Sequence, residues 1–565
     1  MSEASASSSG SGSLVADAWK RTRALLPCAA DFRAMRRNPR RDIIAGVTVA
    51  VVALPLALAF GVASGLGAAA GMVTAILAGI LAAVFGGSNL QVSGPTGAMT
   101  VVLLPIVAAF GVEGVLVVGL MAGVILLALA FAGTGRYMRY IPLPVVEGFT
   151  LGIAVIIGLQ QVPAALGVDV HGEKVVLTAF AAFREWIASP QWASVLITAF
   201  VAACMLLALR FRPGLPVSLI AVAVATVVVV MTGVDVATIG AIPAGLPAPS
   251  VPSIPWSRIS ELMIPAVAVA ALAALESLLC ATVADAMTVG ERHDSNRELF
   301  GQGIANLAVP FFGGVPATAA IARTAVNVRS GGRSRLAAIT QSVALLLVIL
   351  VAARWVSYIP LAALAGVLIA TVIQMIEVSS LRSVMKATRG DAIVLIATAL
   401  ATIAFDLVIA VVVGMAIAGL YALRQVAKSA QVEEIPLEAG DYSDEEQELL
   451  DSNVVAYRLD GPLFFGAAHT FLLEVAETSD VRVVILRLSR IRTLDATGAT
   501  VLGDTIKTLE GRGVTVLLSG VRDTHDSVFT ALGVYDNLSD PAHVFDNTPA
   551  AIEHAREHVH RESST

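Results

Sequence analysis

Charge is what this sequence has least of. Asp, Glu, Lys and Arg make up 14% of its 565 residues against 56% hydrophobic, and from Ile43 to Val112 no side chain is charged. Such a composition excludes an ordinary soluble enzyme and describes a polytopic membrane protein. At roughly 20 residues per crossing, the uncharged run alone holds about three spans. Cysteine is nearly absent too: Cys28, Cys204 and Cys280 lie far apart without a C-x-x-C. That excludes a disulfide framework and a zinc-ribbon site. The eight histidines are scattered in polar regions without ligand spacing, so neither metal nor other cofactor is expected. The net charge of -6 comes from acids gathered near the C-terminus, and no basic domain for nucleic acid stands out. No secretory leader is expected, because the first apolar run begins only after Arg41, is too long and lacks a small-residue cleavage site.

What is present is a repeated alternation of apolar spans and short basic connections. Residues 1 to about 13 are rich in Ser, Ala and Gly and read as unstructured, and Lys20, Arg21, Arg23, Arg33, Arg36, Arg37, Arg40 and Arg41 follow. By the positive-inside rule this end is cytoplasmic. Fourteen spans fit between residues 43 and 424, and the bases recur after even-numbered spans: Arg136 and Arg139, Arg210 and Arg212, Arg292 and Arg297, Arg329, Arg333 and Arg335, then Arg382, Lys386 and Arg389. Both termini are therefore expected in the cytoplasm, the connections opposite being neutral or nearly balanced. The expected division is a cytoplasmic segment 1–41, a membrane domain 42–424, an acidic linker 425–452 and a small α/β domain over 453–565.

Two stretches break the apolar pattern in matching places. One runs from Gly86 to Thr100 as G-G-S-N-L-Q-V-S-G-P-T-G-A-M-T; the other runs from Gly313 to Asn327 as G-G-V-P-A-T-A-A-I-A-R-T-A-V-N. Gly and Pro interrupt a membrane helix and restart it, leaving the first N–H groups of the new half-helix free to meet an anion. Paired short, Gly/Pro-interrupted spans, here the third and tenth, point to a secondary transporter of inverted repeats with its site at the midplane between them. Ordinary interspan loops are the bland alternative. Against them stand the pairing itself and Arg323, a guanidinium that is costly in a bilayer unless it faces protein, water or ligand.

In the eighth span A-A-L-E-S-L-L-C carries Glu276 in the middle of an apolar helix. An intramembrane carboxylate is by default a proton or cation site, or a partner to a base. A protonated Glu that merely joins two helices is the structural alternative. Asp285 reads as a solvated carboxylate near the cytoplasmic end, and Asp406 as a loop residue at the outer surface.

G-G-S-N-L-Q-V-S-G-P-T, E-S-L-L-C-A, R-H-D-S-N-R-E-L-F-G-Q-G-I-A-N from Arg292 to Asn306, and P-A-T-A-A-I-A-R-T-A-V-N together resemble the sulfate permease (SulP) family of anion transporters. The resemblance implies a polytopic α-helical membrane protein of 14 spans as 7+7 inverted repeats, with a core of spans 1–4 and 8–11 moving against a gate of spans 5–7 and 12–14. It implies an anion between the N-termini of spans three and ten, lined by Thr96, Gly97 and Ala98 on one side and Thr318, Ala320, Ala322 and Arg323 on the other. The sequence is most similar to the bacterial branch containing a dicarboxylic acid uptake transporter. It also resembles cyanobacterial sodium-coupled bicarbonate transporters in L-P-L-A-L-A-F-G-V-A-S-G. Those carriers use an aspartate and two threonines where this chain has Glu276, Cys280 and Ile321, and they lack the arginine matching Arg323. Sodium prefers several oxygen ligands, so proton coupling through Glu276 is the expectation.

After an acidic connector, strand-like runs V-V-A-Y-R-L, V-R-V-V-I-L-R-L and V-T-V-L-L-S-G alternate with helical patterns at 468–478, 498–512, 523–533 and 549–560. Their order resembles the STAS domain of sulfate transporters and anti-sigma-factor antagonists. In the antagonists a phosphorylatable serine follows an aspartate; here Ala496 takes its place and Thr497 follows. The leading expectation is thus a secondary transporter, not an enzyme, in a bacterial cytoplasmic membrane. Its partners are a small inorganic anion or dicarboxylate, a proton in preference to sodium, the lipid bilayer and a second copy in a homodimer, with a cytoplasmic protein on the STAS domain as a further partner. A channel or motor-like relative is disfavoured by Glu276, for which a passive pore has no use. A membrane-anchored signalling protein is disfavoured by Ala496.

Overall fold

A computed structural model describes the chain except residues 1–21, 141, 171, 173, 212–216, 254–255, 289–291, 405–406, 430, 435–453, 464–480, 495 and 563–565. Asp406, the acidic residues of the linker from Glu438 onward and the helix expected at 468–478 lie outside the described residues. The chain divides into two compact units, Met1–Ala416 and Ile417–Thr565.

The first unit opens with a short helix α1 (Ala29–Met35), followed by α2 (Pro39–Ala63) and α3 (Ala68–Phe85). Pro39 stands at the first helical positions of α2, where a missing N–H costs nothing. The third and fourth spans form one 36-residue element α4 (Gly97–Ala132), bent at Gly111, whose φ of 68° only glycine adopts readily. Next come α5 (Leu143–Gln160), α6 (Val162–Leu166), α7 (Val175–Ala188), α8 (Trp192–Phe211) and α9 (Val217–Thr232). The second half follows as α10 (Ile259–Ala286), α11 (Ser295–Ala308), the nine-residue α12 (Ile321–Arg329), α13 (Arg335–Val356), α14 (Leu361–Met375), α15 (Val378–Ala387), α16 (Arg389–Ala404) and α17 (Leu407–Ser429). Among the described residues, seven helical segments are long and apolar enough to cross a bilayer, α5 counted with α6 and α14 with α15. With the two halves of α4 and the shorter helices α8, α9, α11, α12, α16 and α17 they supply fourteen spans in two inverted sets of seven.

The connection between the fifth and sixth spans, expected only to be nearly balanced in charge, holds the helix α7, whose Val176, Leu177, Phe180, Phe183 and Ile187 are exposed. Its apolar residues fall on one side of a short helix, the arrangement of an interfacial rather than a spanning segment.

Both interrupted stretches contain two residues of strand just before the half-helix begins. β1 (Ser93–Gly94) and β2 (Thr318–Ala319) pair antiparallel, Ser93 opposite Ala319 and Gly94 opposite Thr318. This miniature sheet satisfies backbone groups that have no helical partner at membrane depth. It also fixes where the half-helices α4 and α12 begin.

The second unit holds a five-stranded sheet in the order β3 (Gln431–Glu434), β4 (Val454–Leu463), β5 (Val483–Leu494), β6 (Thr515–Ser519) and β7 (Val544–Phe545). β3 is antiparallel to β4 and the others are parallel. Alternate residues of the strands face opposite sides. Leu486, Leu488, Val516 and Leu518 pack with α18 (Ala496–Glu510) and α19 (Asp523–Ala531), whereas Val483, Ile485 and Leu517 pack under Ala551 and Ala555 of α20 (Thr548–Glu562). Ala496 opens α18 and is exposed.

Candidate functional site

The site is built where β1 and β2 hand over to α4 and α12, against the middle of α10. Thr96 is the N-cap of α4 and lies in extended conformation, its hydroxyl 3.5 Å from the Met99 N–H. Ala320 precedes α12 in the same way, and the first intrahelical bond there runs from the Thr324 N–H to the Ala320 carbonyl. The N–H groups of Ile321, Ala322 and Arg323 thus come too early in α12 for an intrahelical acceptor. A helix start of this kind favours negative charge both by its free donors and by its dipole.

Glu276 reaches this junction from α10. Its Oε2 accepts hydrogen bonds from the hydroxyls of Thr318 at 2.7 Å and Thr96 at 2.9 Å, and these two hydroxyls lie 3.0 Å apart. One carboxylate therefore ties together the starts of the two half-helices. Arg323 sits beside it, 1% exposed, and its Nη2 donates to the Pro95 carbonyl at 2.5 Å. Nε and Nη1 of the same guanidinium have no hydrogen-bond partner among the described residues although they are buried. Unpaired buried donors on a charged group are expensive, and an anion seated beside them would satisfy them. The approach depends on Gly94: a Cβ there would lie 2.5 Å from Nη1 of Arg323.

Of the residues expected to line the site, Thr96, Thr318 and Glu276 are hydrogen-bonded to one another, and Arg323 is anchored on the backbone before Thr96. Gly97 and Ala98 are buried in the first turn of α4, while Ala320 is half-buried and Ala322 exposed at the start of α12. Gly97 is packed against the fifth span, for a Cβ on it would stand 2.4 Å from Cδ1 of Ile157. The Cys280 thiol donates to the Thr324 hydroxyl at 3.2 Å, which in turn accepts from the Val92 N–H at 3.0 Å.

Several supporting residues escaped the sequence reading. The Ser277 hydroxyl accepts from the Ala319 N–H, and its carbonyl accepts from the Gln91 side chain. From β1, Ser93 leads away through Gln302 to Glu298, whose other oxygen accepts from the N–H groups of Gly87 and Ser88. The only sequence signal for these was polarity inside apolar spans. Asp285, expected to be solvated, is part-buried and holds His293 at 2.8 Å, with Ser295 at 3.0 Å from the second ring nitrogen.

An inverted-repeat membrane fold with a charged polar site at the crossing of two half-helices defines a membrane transporter of the anion-carrier type. The sequence model of the sulfate permease family matches residues 40–398, and that of the STAS domain matches residues 450–551. The chain is 34% identical over 524 residues to YvdB of Bacillus subtilis (strain 168), covering 90% of this chain and 96% of that one. It is 32% identical over 502 residues to the bicarbonate transporter BicA of Synechocystis sp., covering 86% and 88% respectively. The solved transmembrane domain of a cyanobacterial BicA superposes with a TM-score of 0.62 at 33% identity, over 66% of this chain and 98% of that one. Murine Slc26a9, an anion transporter solved in the inward-facing state, shares the fold with a TM-score of 0.81 at 19% identity, over 99% and 97%. The chain belongs to the sulfate permease family and carries a C-terminal STAS domain.

Proposed function

We propose that this protein is a secondary active transporter of small anions, taking a sulfate-type inorganic anion, bicarbonate or a C4-dicarboxylate across the bacterial cytoplasmic membrane with both termini in the cytoplasm. The single observation that carries the reading is the junction itself: two half-helix starts, one carboxylate bonded to a threonine of each, and one buried arginine with donors unpaired among the described residues. The anion sits between the N-termini of α4 and α12, in contact with Arg323 and lined by Thr96, Gly97, Ala98, Thr318, Ala320 and Ala322. Alternating access follows from movement of a core of spans 1–4 and 8–11 against a gate of spans 5–7 and 12–14. The membrane domain is taken as 42–424, the linker as 425–452, from which β3 joins the sheet of the C-terminal unit, and the STAS domain as 453 onward, with the whole working as a homodimer.

Coupling runs through Glu276. A neutral, protonated carboxyl crosses a low-dielectric barrier with its two threonine partners far more cheaply than an ionised one. A second reading is supported by the same contacts. The Glu276 carboxylate and the hydroxyls of Thr96 and Thr318 are three oxygen donors converging on one point, and a hard cation such as sodium takes oxygen ligands. The residues that replace the sodium carriers' threonines, Cys280 and Ile321, favour the proton. A thermal-shift panel of sulfate, bicarbonate, chloride and C4-dicarboxylates on purified protein, followed by labelled uptake of those that stabilise it, tests the reading. No stabilisation and no uptake with any of them would contradict it.

A further inference from the structure

The first helix carries a surface that transport itself does not use. Asp31 of α1 points into the protein and binds Arg297 of α11 through both guanidinium nitrogens, at 2.5 and 3.3 Å, with Arg335 of α13 at 3.4 Å. Burial alone would raise this carboxyl, but the Arg297 bond, the Cys28 N–H and the charge of Arg335 outweigh it and hold it at about 2. Leu25, just before α1, is buried in the same apolar cluster as Ala130, Leu299 and Phe300. Asp42, the other acid of this segment, is equally engaged, accepting from the N–H groups of Arg333 and Ser334 and from the Ser334 hydroxyl.

With both acids turned inward, Arg33, Arg36, Arg37, Arg40 and Arg41 are all exposed and form no ion pair with any described carboxylate. Arg329 and Arg333, also exposed, come close by, since Gly331 packs against the Arg41 guanidinium. Apolar side chains are interleaved with these charges: Phe32 is 50% exposed, Ile44 65%, and Leu26 and Ile43 are exposed as well. Arginines beside exposed aromatic and aliphatic groups, at the mouth of a membrane span, fit the headgroup layer of a bilayer. A soluble polyanion would leave Phe32 and Ile44 in water.

We propose that α1 and the start of α2 form a binding surface for the headgroups of anionic phospholipids in the cytoplasmic leaflet, and that through Asp31 this surface holds the core helices α11 and α13 toward the cytoplasmic side. The second half of this statement rests on the proposed core-against-gate movement; the first does not. Each arginine near an anionic membrane surface contributes about a fivefold preference. The lipid is thus a brake or a bias on the moving domain, applied outside the substrate site.

The test uses the full-length protein in phosphatidylcholine vesicles and in a two-to-one mixture of phosphatidylcholine and phosphatidylglycerol. Native mass spectrometry reads retained lipid, and labelled-anion uptake reads transport. Arg33→Gln with Arg36→Gln and Arg37→Gln should lose retained phosphatidylglycerol by at least about tenfold. The corresponding triple Lys variant should keep it, which separates charge from packing. Asp31→Asn should keep the lipid and lose the response of uptake to phosphatidylglycerol. Equal retention by wild type and the Gln variant overturns the surface, and an undiminished uptake response in Asp31→Asn overturns its link to the core. Absence of uptake by wild type in both vesicles, with lipid retention as expected, strikes the transport reading and leaves the surface standing.

Discussion

Arg323 and Glu276 lie close together without an ion pair between them: the guanidinium gives only Nη2 to the Pro95 carbonyl and keeps Nε and Nη1 for a ligand, while the carboxylate accepts from two threonine hydroxyls. Arg323→Ala should therefore cut anion affinity by at least about tenfold, the scale of a lost charge-assisted hydrogen bond. Unchanged binding in a calorimetric titration would make the arginine structural. Thr96→Val deletes one hydroxyl and leaves the helix N–H groups, so its cost is about 1 kcal/mol, or about fivefold in affinity. A loss as large as the arginine's would make Thr96 a principal ligand. Both charged residues were legible because a lone charge inside an apolar span demands a reason. Their partners were not: Thr318 meets Thr96 only through the register of β1 with β2, across more than two hundred residues of chain.

The elements that matter most are the two that are incomplete. α12 has only nine residues and α4 begins at mid-membrane, because Gly and Pro stop the preceding segments and the paired β1 and β2 take up the loose backbone groups. These breaks could be read from composition, as could β4, β5, β6 and most helices of the C-terminal domain from their periodicity; β3 lies in the stretch read as linker, and the two-residue β7 is too short to show a period. The amphipathic α7 could not, since a short helix lying at an interface has neither the length of a span nor the polarity of a loop. Gly97 lies where α4 packs against α5, across the proposed boundary between core and gate. A methyl group there would press on Ile157 and Phe60, and overpacking of a close contact costs about 1–3 kcal/mol. Gly97→Ala should lower the maximal uptake rate more than the apparent affinity, because it obstructs a sliding surface. A change confined to affinity would place Gly97 against the anion instead.

At the scale of the whole molecule, the division at Ala416 and Ile417 falls within α17, and the second unit has its own sheet and core. Removing residues from about Ser452 onward should leave an extractable, folded membrane unit that transports more slowly with unchanged substrate affinity. Aggregation of the truncated chain on extraction would show that the STAS domain is part of the fold's support. Ala496, exposed at the start of α18, leaves that domain without a phosphorylatable side chain at the position where the antagonists have one. Regulation by a phosphate on residue 496 itself has no chemical basis, whereas the adjacent Thr497 carries a hydroxyl.

The central claim is that Glu276 carries the proton that drives the anion. Labelled-anion uptake into proteoliposomes under an imposed pH or sodium gradient, for wild type and Glu276→Gln, tests it most directly. Wild-type uptake should rise as the outside pH falls and be indifferent to sodium. The Gln variant, fixed in the neutral state, should lose accumulation against a gradient while still exchanging internal for external anion. Stimulation by sodium but not by acid, or a Gln variant that still accumulates anion under a proton gradient, would contradict the account.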